Sequence, residues 1–220
     1  MDENLQQAMM ESEKKEKARR YRILNQYVRK GEILFAGSSL MEQFPVYEFL
    51  LDDGLPYVIY NRGIGGFTTK ELLENMDVCI YDLQPKAVFL NIGTNDLNDP
   101  ACTPEILEQQ YETVVKGIQE HLPQTKLFLL AYYPVNPEAA DNPVMQEILR
   151  SRTNQKITKA NEAIRAMAQR HGISFLDLND GITDEKGNLM KEYTVEGMHM
   201  YANGYRQIWK RLRPYIQELE

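Results

Sequence analysis

The chain reads as an α/β protein, a three-layer α/β/α sandwich around a five-stranded parallel sheet. Two patterns predict this. Five short segments, Ile33–Ala36, Tyr57–Tyr60, Ala87–Asn91, Lys126–Ala131 and Ile173–Leu176, are apolar almost throughout, as strands covered on both faces should be. Between them run longer segments with helical spacing of apolar residues. Strand–helix alternation repeated five times implies parallel pairing with helices on both faces of the sheet. A length of 220 residues suits one domain with a substantial core.

Taken in order, the charged segment before Arg29 reads as an added helix with a modest apolar stripe at Tyr21, Leu24 and Val28. We therefore divide the chain into an amino-terminal helical extension, 1–30, and a main domain, 31–220. After the first strand, Gly37-Ser38-Ser39-Leu40 opens a short helix toward Glu42 and Phe44. After the second comes the glycine-rich Asn61-Arg62-Gly63-Ile64-Gly65-Gly66, and after the third Gly93-Thr94-Asn95-Asp96. Ile106, Leu107, Tyr111, Val114, Val115, Ile118 and Leu122 then form one helical face. The stretch from Tyr133 to Pro143 is loop-like and sits just past strand four, where a substrate-binding loop would belong. Ile157, Ala160, Ile164 and Met167 mark a helix that stops at His171-Gly172. The last helix, about Ala202 to Leu219, carries Tyr205, Ile208, Trp209 and Leu212.

Composition excludes some function classes. With 43% hydrophobic and 26% charged residues the chain is ordinary globular, not disordered. A net charge of −7 argues against a nucleic-acid partner. Residues 1–30 hold eight basic and five acidic side chains, leaving 17 basic against 27 acidic in the remainder. Met1 to Lys17 lacks the apolar core of a signal peptide, and the longest apolar stretch, Leu127 to Val135, is far short of a membrane span. Cys79 and Cys102 show neither metal-ligand nor disulfide spacing. The expectation is a cytoplasmic protein with reduced thiols, no metal and no cofactor.

Four segments carry chemistry. Ligands of parallel sheets bind beyond the carboxyl ends of the strands, at a switch in strand order. Ser39, Gly66 and Asn95 follow strands one, two and three and so fall on one rim. Ser39 offers a hydroxyl and a free N–H at a helix start; the bland reading is that Ser38 and Ser39 only cap that helix. Gly66 offers an N–H in a loop where glycine also serves a turn of positive φ. Asn95 offers a side-chain amide, or else an Asx-turn. His199 lies in Glu196-Gly197-Met198-His199, with a carboxylate at i−3 able to fold back to the imidazole; a solvated loop histidine is the alternative. His121 and His171 sit at helix ends, where a cation suits the dipole, and need no chemical role. Nucleophile, N–H donors, base and orienter together are what acyl transfer by a serine enzyme needs.

The four segments resemble the four blocks of the SGNH, or GDSL-type, hydrolase family from Ile33 to Tyr205. The resemblance implies a flavodoxin-like sandwich and metal-free hydrolysis of esters and thioesters. It implies Ser39 as nucleophile, Gly66 and Asn95 with Ser39 as oxyanion donors, and His199 as base; Ala202-Asn203-Gly204-Tyr205 after the histidine is also similar. Size and the Gly-Ser-Ser start resemble the platelet-activating-factor-acetylhydrolase-like branch. Two positions depart from the pattern. Ser38 stands where the family has aspartate. Glu196 stands where the family has aspartate three residues before the histidine, so the loop must retract to accommodate an extra methylene; otherwise a backbone carbonyl orients His199.

The expected activity is a serine esterase acting on a small-molecule ester through an acyl-enzyme. Phe67, Leu97, Tyr132, Tyr133 and Met198 are candidates, from their placement, for an acyl pocket. Two rivals stand beside it: a non-catalytic or phosphate-binding module on the same fold, since Gly-Ser-Ser after a strand also suits an anion, and a scaffold built on the amino-terminal helix. The oligomeric state is open, a homodimer included.

Overall fold

The structure, a computed structural model, describes residues 3–219. Five parallel strands, β1 (Ile33–Gly37), β2 (Ile59–Gly63), β3 (Ala87–Asn91), β4 (Lys126–Leu130) and β5 (Ser174–Leu176), form one sheet in the order β2-β1-β3-β4-β5. The helices are α1 (Glu3–Leu24), α2 (Ser39–Glu42), α3 (Val46–Asp52), α4 (Thr69–Leu73), α5 (Met76–Cys79), α6 (Pro104–His121), α7 (Pro143–Ser151), α8 (Asn154–Arg170) and α9 (Ala202–Gln217). This is the three-layer fold expected, with the flavodoxin-type strand order.

Alternation along the central strands splits the core in two. Leu34, Ala36, Val88 and Leu90 face one way and pack with Leu107, Tyr111, Val114, Ile157, Ile164 and other side chains of α4 to α6 and α8. Ile33, Phe35, Ala87 and Phe89 face the other way, against Phe44 and Phe49 and against Tyr205, Ile208, Trp209 and Leu212 of α9. Both central strands are buried at all five positions, which is why they read as unbroken apolar runs. A fully buried residue of this size contributes about 1.5–3 kcal/mol by leaving water.

Four local expectations change. The edge strand β2 runs two residues later than its apolar run, through Asn61 and Arg62. Their polar groups are satisfied in the fold: Asn61 Nδ2 donates to Met41 O (2.6 Å) and Arg62 Nε to Asn25 Oδ1 (3.0 Å). Helix α1 ends at Leu24, which is exposed; Ala18 and Tyr21 make its contact with the core, and Val28 packs there from beyond the helix end. Ile106 is exposed, because the buried stripe of α6 begins at Leu107 and Ile106 lies about 100° around the helix. Pro143 starts α7 with Asn142 as its cap (Met145 N to Asn142 Oδ1, 2.8 Å) rather than ending a loop.

The order of strands reverses between β1 and β3, so the crevice lies beyond Gly37 and Asn91, which are paired in register. Gly37 has φ +149°, and a Cβ there would fall 2.0 Å from Asn91 O. Only glycine lets the two backbones approach this closely as β1 turns into α2.

Candidate active site

Ser39 is the first residue of α2. Ser38 caps that helix through its carbonyl, which accepts from Met41 N (3.1 Å) and Glu42 N (2.9 Å), while neither serine caps it through a side chain. The Ser38 hydroxyl is buried, with no partner among the described residues. The Ser39 hydroxyl instead lies 2.9 Å from His199 Nε2.

His199 arrives from outside the sheet on a compact turn. Thr194 and Met200 are bridged; Val195 N donates to His199 O (2.8 Å), and Gly197 N donates to Thr194 Oγ1 (2.8 Å). Gly197 has φ +100°, and its Cα lies so close to the 133–143 segment that a Cβ would meet Asn136 O at 2.5 Å. Asn136 N donates to Gly197 O (2.7 Å). In this turn the glutamate reaches the imidazole. Glu196 Oε1 sits 2.7 Å from His199 Nδ1 and also accepts from His199 N (3.0 Å). Burial by itself would raise the Glu196 carboxyl, but the hydrogen bonds from the His199 ring and backbone hold it below the usual carboxylate range. An ionised carboxylate only accepts, so in the neutral imidazole the proton rests on Nδ1 and Nε2 is left to accept from Ser39.

Gly66 and Asn95 line the same cleft as Ser39 and His199. Among the described residues neither the Ser39 nor the Gly66 N–H has a hydrogen-bond acceptor. The Gly66 loop is braced at its neighbours: Gly65 N donates to Glu42 Oε2 (2.6 Å), and Thr68 N to Glu71 Oε2 (2.8 Å). Helix α1 presses on it from outside, with Lys17 paired to Glu42 (2.6 Å) and Lys14 to Glu71 (2.7 Å). Asn95 makes no Asx-turn. Its Nδ2 donates to Phe67 O (2.9 Å), and its Oδ1 accepts from Arg152 Nη2 (2.8 Å).

The cleft measures about 560 Å³. Met145, Ile148 and Met198 give it apolar lining, and Met10, Lys14 and Lys17 of α1 line it as well. Of the five pocket candidates only Met198 lines it. Phe67, Leu97, Tyr132 and Tyr133 are core side chains, each at most 3% exposed, so their placement after strand ends does not bring them to the cleft. The 133–143 loop, expected to hold substrate, packs against the histidine turn instead. Among the described residues there is no cluster of three or more His, Cys, Asp or Glu that could hold a metal ion. Sequence reading missed Met10, Lys14, Lys17, Met145, Ile148 and Arg152; none lies in a motif, and only the caps of α7 hinted at an element there.

The described residues include no helix long and apolar enough to cross a membrane. Residues 35–207 match the GDSL-like Lipase/Acylhydrolase family. Platelet-activating factor acetylhydrolase IB subunit alpha2 of Homo sapiens is 25% identical over 190 residues, covering 86% of this chain and 77% of its own. A solved structure from Streptococcus pneumonia, provisionally described as a platelet activating factor, is 32% identical, with a TM-score of 0.85 and 97% of each chain covered. A GDSL-like lipase from Bacteroides thetaiotaomicron VPI-5482 shares the fold, at 23% identity and TM-score 0.76, with 92% and 98% of the two chains covered. The alternative of a non-catalytic or phosphate-binding module finds no support in these relatives. The chain thus belongs to the GDSL-like lipase/acylhydrolase family and is a carboxylic ester hydrolase.

Proposed function

We propose that Ser39 is the nucleophile, His199 the general base and Glu196 its orienter, with the N–H groups of Ser39 and Gly66 and the Asn95 amide receiving the oxyanion. The observation that carries this is the hydrogen-bonded relay Ser39–His199–Glu196, at 2.9 and 2.7 Å, beside two N–H groups that have no acceptor among the described residues. Ser39 Oγ adds to the acyl carbonyl while its proton passes to His199 Nε2. Carbonyl re-formation expels the alkoxide, which takes that proton and leaves as the alcohol. Water, deprotonated by the same nitrogen, then attacks the acyl-enzyme, and collapse of the second intermediate releases the acid and restores the Ser39 hydroxyl.

The substrate in this reading is a small-molecule ester with a short acyl group. The relatives named acetylhydrolases support the short chain, and the apolar lining from Met145, Ile148 and Met198 supports an uncharged acyl group. In the same reading residues 31–220 form the hydrolase unit, the 1–30 extension adds Met10, Lys14 and Lys17 to its rim, and the enzyme works in the cytoplasm, where the two free thiols would remain reduced.

A series of p-nitrophenyl esters of increasing acyl length tests the substrate class, with acetate expected to be cleaved faster than octanoate. A fluorophosphonate probe tests the nucleophile: one label is expected, at Ser39, and none in Ser39→Ala. Labelling at another serine would overturn the assignment.

A further inference from the structure

Arg152 is the most deeply buried charged side chain near the cleft, 2% exposed, yet its three hydrogen-bond partners are all neutral. Nε donates to Asn98 Oδ1 (2.9 Å), Nη1 points to Met198 Sδ, and Nη2 donates to Asn95 Oδ1 (2.8 Å). Burial lowers its pKa to about 10, opposed by the charges of Asp96 and Glu196, so it remains a cation at neutral pH. Burying a guanidinium is costly, and an apolar side chain of similar volume would usually serve packing as well or better. A purely structural part does not account for it.

We propose that Arg152 is a positioning residue for the Asn95 amide. Guanidinium only donates, so it can meet only Oδ1 of Asn95 and excludes the flipped amide. Phe67 O only accepts and so takes one of the two Nδ2 hydrogens from the other end. With both ends fastened, one N–H of Asn95, a residue that lines the cleft, is left over. The cation on Oδ1 also draws electron density toward the amide oxygen and makes that N–H a stronger donor as charge develops on the substrate oxygen. The same guanidinium touches Met198, next to His199, and so ties the oxyanion side of the cleft to the histidine turn. It stands at the end of α7, 57 residues from Asn95 in sequence.

The inference rests on Asn95 as an oxyanion donor, and a double-mutant cycle separates the two claims. Kinetics of p-nitrophenyl acetate cleavage are measured for Arg152→Gln, Asn95→Ala and the pair, with thermal unfolding of each. Asn95→Ala is expected to lower kcat by about 10²–10³-fold, as loss of one such donor does. Arg152→Gln is expected to lower kcat about 10–100-fold with KM within about twofold, and to cost less than about threefold more once Asn95 is alanine. Arg152→Lys, which keeps the charge but not the fork, is expected to recover part of kcat; it replaces Arg152→Gln in the cycle if the latter does not fold. Equal losses from the Arg152 change in both backgrounds, or a loss wholly in KM, would overturn the role of Arg152 alone. An Asn95→Ala enzyme with wild-type kcat would overturn the oxyanion reading and this one together.

Discussion

The two halves of the candidate site are held in place by different means. Ser39 and Asn95 stand just beyond the ends of β1 and β3, central strands buried at every position and paired in register. Their places follow from the sheet. His199 stands on the Thr194–Met200 turn, which belongs to no strand or helix and is held by its own hydrogen bonds and by Asn136. The rim inherits the rigidity of the core. The turn depends on its own hydrogen bonds, on Asn136, and on Met198 and Met200, whose side chains anchor it in the core on either side.

The largest expected effect lies on the turn. Glu196→Gln keeps the size of the side chain but allows the wrong imidazole tautomer and removes the charge facing the imidazolium. kcat should fall by about 10⁴-fold, as in the aspartate precedent. Wild-type kcat across pH 6–9 would mean that the turn's backbone alone orients His199.

Two glycine substitutions set the halves directly against each other. In Gly37→Ala the new Cβ would overlap a backbone oxygen inside the sheet, and the core cannot give way; a loss of about 3–5 kcal/mol of stability is expected. In Gly197→Ala the overlap is with the backbone oxygen of Asn136, which is buried but belongs to a loop rather than to the sheet. A stability loss of about 1–3 kcal/mol is expected there, a fall of roughly 2–4 °C in Tm per kcal/mol, with kcat reduced out of proportion as Glu196 and His199 move. Denaturant unfolding alongside kcat measures both. If Gly197→Ala lost stability but kept full kcat, the turn would be sturdier than its few contacts suggest.

The smallest effect is in the pH dependence of stability. The Glu196 carboxyl titrates lower in the folded chain than in the unfolded one. Its contribution is therefore fully present above the unfolded value, about 4.3, and is lost as pH falls through the lower folded value. The difference in unfolding free energy between wild type and Glu196→Gln should accordingly shrink between pH 6 and pH 3. A difference that does not change would mean that the carboxylate gains nothing from its place beside His199.

Much of this arrangement was legible because its signals are local. Strands covered on both faces must be apolar at nearly every position, so β1 and β3 stood out, and the polar groups directly after them fell at the rim. β2 was misplaced for the same reason: Asn61 and Arg62 are tolerated on an edge strand only because partners from other segments satisfy them. The acyl-pocket candidates failed differently. Position after a strand end says where a residue begins, not which way its side chain turns, and Phe67, Leu97, Tyr132 and Tyr133 turn into the core.

Local pattern along the chain is enough for the sheet, for the rim on which Ser39, Gly66 and Asn95 lie, and for the nearness of a carboxylate to His199. These follow from periodicity and from spacings of a few residues, which the backbone converts into geometry unaided. Packing between distant segments settles that Glu196, rather than a carbonyl, meets His199 Nδ1. It also settles that α1 and α7 complete the cleft and that Arg152 reaches Asn95. Each of those depends on segments far apart in sequence being packed together, and a buried guanidinium has no meaning until its neighbours are known.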